Sequence, residues 1–167
     1  MRKKRELIEG AFYHVTSRTN DKIRVFESNV GRRIMILTLE EAKENHHFRL
    51  ANFCIMPNHI HLLIQPRENS CLSTIMHSIK LRSAKRWNNI HGSTDHMWGQ
   101  PYFSRIIKDP ADYYTVMDYI DNNPVAAGLV ENPADWKASG AYYIMHDIPN
   151  LVDFIPTDRF RYIKLLT

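Results

Sequence analysis

The sequence predicts an α+β fold: a four-stranded antiparallel sheet with helices on one face, of the split βαβ type. Three features predict it. Short runs rich in aromatic and β-branched residues alternate with longer segments of helical period. Two of the short runs are joined by nothing more than Pro57-Asn58. Capping residues, Gly and Pro fall at the boundaries between segments. The 167 residues suit one domain over 1–167, with a core of about 10–130, large enough to bury apolar surface without staples.

The first strand is expected over Ala11–Arg18, where Phe12, Tyr13, Val15 and Thr16 precede the turn residues Thr19-Asn20-Asp21. Ser28 or Asn29 caps a helix running to about Asn45, with Val30, Ile34 and Leu37 as its buried stripe and Glu40, Glu41 and Lys43 facing water. Phe48–Met56 and His59–Gln65 then form an antiparallel hairpin. Ser73 caps a second helix that His91-Gly92 stops, Tyr102–Lys108 is a fourth strand, and Asp109-Pro110 opens a third helix that ends before Pro124. Strand, helix, strand, strand, helix, strand is the order of a ferredoxin-like sandwich. Beyond it, 131–167 reads as an irregular tail wrapping the core, broken by Pro133, Pro149 and Pro156.

Composition excludes several classes. Arg2-Lys3-Lys4-Arg5 resembles the start of a secretion signal, but Glu6 and Glu9 interrupt the stretch where its apolar region would lie. No window comes near eighteen uncharged apolar residues, so no membrane partner is expected. Cys54 and Cys71 form no CxxC pair, which argues against a zinc finger or disulfide framework and for a reducing cytoplasm. The net charge of +4 is too small to name a partner by itself.

The chemistry-bearing residues fall in three places. His59-Ile60-His61 on the third strand puts both imidazoles on one face, two residues apart, as a chelating pair for a divalent cation; they could equally be two polar residues on an edge strand. Tyr119 and Asn123 share one face of the third helix at i,i+4. Asn offers a carboxamide oxygen to a hard cation and Tyr a hydroxyl nucleophile, although a core tyrosine and a helix stop explain them too. Finally, no acidic residue lies between Glu68 and Asp95, whereas Lys80, Arg82, Lys85 and Arg86 crowd the second helix with Trp87 and His91 among them. Together with Arg2, Lys3, Lys4 and Arg5 they suit a phosphate-tracking surface, or a solvated helix face.

Taken together, Phe12-Tyr13-His14-Val15-Thr16-Ser17-Arg18, Met56-Pro57-Asn58-His59-Ile60-His61-Leu62-Leu63, Trp98-Gly99-Gln100 and Tyr119 to Val130 closely resemble the single-tyrosine HUH transposases. The Asn123-Pro124-Val125-Ala126-Ala127-Gly128-Leu129-Val130 ending is most similar to the branch called REP-associated tyrosine transposases. The resemblance implies that His59, His61 and Asn123 hold Mg²⁺ or Mn²⁺ and that Tyr119 attacks the scissile phosphate of single-stranded DNA. A 5′-phosphotyrosine link forms and a 3′-hydroxyl is released, at DNA hairpins made by palindromic repeats. By analogy Arg18, the basic second helix and the amino-terminal cluster hold that DNA, in a nucleoid-associated protein of a prokaryotic cytoplasm that acts as a homodimer or a monomer. One departure stands out: many relatives carry an arginine, a residue suited to contact phosphate, shortly after the Trp-x-Gln block, where this chain has Pro101-Tyr102. A hairpin-binding module retained by its host, with little cleavage, is the alternative reading; a phosphoesterase that uses water is a third.

Overall fold

The computed structural model describes residues 8, 10–67 and 69–153. Arg2, Lys3, Lys4, Arg5 and the last part of the tail, with Pro156, lie outside the described residues. The elements are β1 (Tyr13–Arg18), α1 (Asn29–Asn45), β2 (Phe48–Met56), β3 (His59–Pro66), α2 (Leu72–His91), β4 (Phe103–Ile106), α3 (Pro110–Ala126) and α4 (Gly140–Met145), with short 3-10 turns between β1 and α1 and at Pro133–Asp135. The sheet is four-stranded and antiparallel, in the order β2-β3-β1-β4. This is the split βαβ arrangement expected from the order of elements.

Alternation along the strands sends opposite sets of side chains to the two faces. Tyr13, Val15, Leu50, Phe53, Ile55, Ile60, Leu62 and Ile64 join Met35, Leu39, Ile75, Met76 and Ile79 in the core under α1 and α2. Ala51, Cys54, Met56 and Leu63 pack instead with Val116, Met117, Ile120, Ala141 and Ile144 of α3 and α4. The paired helices therefore lie on one face as expected, while α3 and α4 cover the other.

Several boundaries and faces differ from the sequence expectations. Ser28 does cap α1, its side chain accepting from the Gly31 N–H at 3.0 Å. The buried stripe of α1 is Gly31, Ile34, Met35, Thr38, Leu39 and Ala42, whereas Val30 and Leu37 are exposed. Beside Ile34, Met35 and Leu39, two of these positions go to a small and a self-satisfied residue. Gly31 sits so close to the Val25 carbonyl that a Cβ would collide with it, and the Thr38 hydroxyl donates back to Ile34 O. Cys71, not Ser73, is the residue before α2, and Gly92 in the left-handed region (φ 61°) closes that helix.

α3 does not stop before Pro124. Asp109 caps its start by accepting from the Asp112 N–H, with Pro110 following as expected. It then runs through the buried Pro124 to Ala126, and Gly128 (φ 68°) ends it. The Leu129 N–H donates to Pro124 O and the Gly128 N–H to Val125 O, both at 2.9 Å, which is a Schellman stop. The glycine, with no Cβ to clash at positive φ, sets the boundary.

The described part of the tail wraps the exposed edge of β2. The Ile55 N–H donates to Ala138 O, Trp136 Nε1 to Ile55 O and the Asp153 N–H to Leu50 O, while Leu151 is buried. Lys43 ties the same segment to α1 through Asp153 at 2.7 Å. An edge strand with unpaired backbone groups invites pairing with another chain, and this segment blocks it. Among the described residues no helix is long and apolar enough to cross a membrane.

Candidate active site

The site lies on the sheet face under α3. The register pairs Arg18 with His59, Thr16 with His61 and His14 with Leu63, so these side chains share that face. On the outer strand Phe103 pairs with Thr16 and Arg105 with His14, extending the row to the sheet edge. Since β3 lies between β2 and β1, the edge-strand account of His59 and His61 is removed. Two imidazoles in the middle of a sheet face are not there for want of a partner strand.

α3 carries the other half of the constellation. Its buried stripe is Val116, Met117, Ile120, Asp121 and Pro124. At about 100° per residue, Tyr119 and Asn123 lie together on one flank of that stripe. The Tyr119 ring rests edge-on against His61 and His14, with centroids 5.4 Å and 5.7 Å away, while the residue stays 53% exposed. Asn123 donates its Nδ2 to Tyr119 O at 2.6 Å, which leaves Oδ1 as the amide's acceptor. On the other flank Asp121 is buried and accepts from Asn52 Nδ2 at 2.8 Å. Asn52 faces α3 because the β2–β3 register slips between Leu50 and Asn52.

The electrostatics keep the imidazoles neutral. Burial, with Arg18 nearby, lowers His59 to about 4. Burial, with His59, His14 and Arg18 adding to it, lowers His61 to about 3. His14 is lowered to about 4, again chiefly by burial and then by Arg105. Neutral imidazoles are the form that ligates metals.

The donor set fits a divalent cation. His61 Nε2 is buried without a hydrogen-bond partner. His59 Nδ1 lies 2.7 Å from Asn58 Oδ1, which can only accept, so Nδ1 holds the proton and Nε2 keeps its lone pair. Buried nitrogens are rarely left unpaired without a use for the lone pair. Among the described residues no group of three or more His, Cys, Asp or Glu gathers as a metal site. The residues that could hold a cation here are therefore the two imidazoles, with the Asn123 amide oxygen as a further candidate.

The structure puts the rings of His59, His61 and Tyr119 in contact, with Arg18 opposite His59 in the register and Asn123 one turn beyond Tyr119 on α3, and it separates them from the basic helix. α2 lies across the sheet from this face. Both Arg82 and Arg86 hydrogen-bond to Glu41 of α1, so Glu41 is engaged between the helices and not simply solvated. Lys80 lies 5.7 Å from the centre of the Trp98 ring, in a groove of about 670 Å³ that Pro101 and Tyr102 also line. Trp87 and His91 stack on each other at 3.7 Å. Lys85 is exposed on the same helix. His14, Thr16, Asn52, Asn58, Phe103 and Asp121 were not singled out from the sequence. Strand parity alone would have put His14 and Thr16 on the face of Arg18, once the pairing with His61 was known.

A family model described as IS200-like transposase matches residues 8–123. A protein named as a REP-associated tyrosine transposase, from Haemophilus influenzae, is 25% identical over 146 residues, spanning 81% of this chain and 82% of its own. Among solved structures, that of a REP-associated tyrosine transposase bound to a REP hairpin superimposes with a TM-score of 0.75 at 19% identity, covering 93% of this chain and 92% of the other. A transposase from Deinococcus radiodurans gives 0.51 at 19% identity, over 73% of this chain and 97% of its own. At such identities the two structures speak for the fold.

Proposed function

The chain belongs to the family of IS200-like transposases, and from that premise we propose that it nicks and rejoins single-stranded DNA at hairpins formed by palindromic repeats, with Tyr119 as nucleophile. The observation behind this reading is the Tyr119 ring lying edge-on to both His61 and His14, beside an imidazole nitrogen that is buried and unpartnered. A relative of the same fold, bound to a REP hairpin, supports the choice of substrate.

Tyr119 Oη attacks the phosphorus, the bond to the 3′-oxygen of the preceding nucleotide breaks, and that oxygen leaves with the electron pair and takes a proton from solvent to become a 3′-hydroxyl. The new tyrosyl phosphodiester conserves the bond energy of the old one, so a second 3′-hydroxyl can reverse the step without ATP. The half-exposed ring lets the phenolic proton leave to solvent. His59, His61 and Asn123 would hold Mg²⁺ or Mn²⁺, which when bound supplies Lewis-acid polarisation of the scissile phosphate and offsets its charge. Arg18, exposed beside His59, contacts a neighbouring phosphate, and Phe103, 63% exposed on the same face, offers a ring for an unstacked base. Because Tyr119 meets His61 of its own chain, one copy carries both the nucleophile and the paired histidines, which supports a working monomer.

The test is incubation with end-labelled hairpins from the neighbouring genome, with Mn²⁺, resolved on a denaturing gel. A labelled protein band that vanishes in Tyr119→Phe is expected. No band, together with a clear shift on a native gel, would replace the nickase with a hairpin-binding module.

A further inference from the structure

We propose that His14 is a positioning residue: it accepts the Nδ1 proton of His61 and thereby holds the His61 Nε2 lone pair toward the cation site. The inference rests on the proposed metal role of His61 and extends it to a residue that touches neither substrate nor cation.

His14 Nε2 lies 3.1 Å from His61 Nδ1, the rings stack at 25°, and both side chains are buried. Between two neutral imidazoles one nitrogen must donate and the other accept. If His61 carried its proton on Nε2, a buried N–H would be left without an acceptor, because that atom has no partner. Either leftover atom carries a desolvation cost, but a cation can satisfy a lone pair and never an N–H. With the proton on Nδ1, His61 donates to His14 and only a lone pair is left over, which is the form a cation takes. Thr16 Oγ1, 3.2 Å from the same Nδ1, can donate or accept and so adapts to whichever tautomer His14 sets. His14 also packs its ring against Tyr119, so the residue that orients the metal ligand borders the nucleophile as well. Partners of this kind on a ligating histidine typically change metal affinity by about 10- to 100-fold.

Two variants separate orientation from packing. His14→Phe keeps a ring against Tyr119 and His61 but has no acceptor; His14→Gln restores an acceptor oxygen. The first readout is the ¹⁵N chemical-shift pattern of the His61 imidazole in the metal-free protein, and the second is Mn²⁺ affinity by titration calorimetry. Wild type and His14→Gln should show His61 protonated on Nδ1. His14→Phe should shift His61 toward the Nε2-protonated form and weaken Mn²⁺ about 10- to 100-fold, with melting showing that it still folds. A His61 tautomer unchanged in His14→Phe, or protonated on Nε2 in wild type, would overturn the positioning role. Absence of Mn²⁺ binding to wild type would overturn the metal reading instead, while the tautomer comparison still decides what His14 does.

Discussion

Asn52 and Asp121, both fully buried, join β2 to α3 through a 2.8 Å hydrogen bond from the Asn52 amide to the Asp121 carboxylate. Asp121 lies two residues from both Tyr119 and Asn123, on the opposite flank of the helix. The bond therefore opposes rotation of α3 about its axis, the motion that would swing Tyr119 off His61. Removing this donor with Asn52→Ala should cost about 1–3 kcal/mol in urea unfolding. Gly140→Ala should destabilise through the same pair, because a Cβ there would collide with the Asn52 amide oxygen.

Tyr119→Phe removes one hydroxyl from a residue that is 53% exposed. Its effect on stability should stay within about 0.5 kcal/mol, as for ordinary surface changes. DNA cleavage should be lost while hairpin affinity is kept. Nicking retained by this variant would eliminate the tyrosine as nucleophile.

His59→Ala and His61→Ala should each abolish metal-dependent cleavage. They should differ in stability: His61 is 3% exposed and packed among His14, His59 and Tyr119, so its truncation also leaves a void. Thermal melts without metal should put His61→Ala below His59→Ala. Cleavage that persists in a chelator would rule out both as ligands.

Asp112 joins the β4–α3 junction, accepting from Arg105 through both oxygens at 2.9 Å and from the Lys108 N–H at 3.0 Å. The Arg105 guanidinium, then the Lys108 N–H, holds its carboxyl at about 2, below the ordinary 3.8. A carboxyl lowered on folding stabilises fully above its unfolded value and loses that contribution as pH falls through the folded one. Wild type should thus be more stable than Asp112→Asn at about pH 6, with the gap closing between about pH 4 and pH 2. Urea midpoints across that range check it, and a gap independent of pH would show that the ion pair contributes nothing.

The basic face of α2 gives a contrast between neighbours. Arg82 and Arg86 are committed to Glu41, whereas Lys85 makes no such tie to α1 among the described residues. If α2 contacts DNA, Lys85→Ala should lower hairpin affinity and reduce the slope of affinity against salt by about one unit, with little change in stability. Arg86→Ala should act mainly on stability, by loosening α1 from α2. Equal effects of both on the salt slope would mean that Glu41 releases its arginines to DNA.

Much of this protein is legible in one dimension because its signals are local. The hairpin at Pro57-Asn58, the Ser28 and Asp109 caps, the His59/His61 parity and the Tyr119/Asn123 spacing all depend on residues a few positions apart. The departures from expectation share a different cause. Val30 and Leu37 have the hydrophobicity of core residues yet face solvent, while Gly31 takes a buried place because the close approach of Val25 leaves no room for a Cβ. Pro124 reads as a helix stop, but a proline one turn from the end is tolerated where Gly128 supplies the left-handed turn.

The sequence by itself determined the order of elements and which side chains each strand or helix presents together, since backbone period alone sets that. Only the tertiary structure decided that β3 is an inner strand, that α3 crosses the face opposite α1 and α2, and that His14 of β1 meets His61 of β3. Those facts depend on strand pairing and helix docking between segments far apart in the chain. Burial over the whole molecule, and not any local pattern, chooses among such pairings.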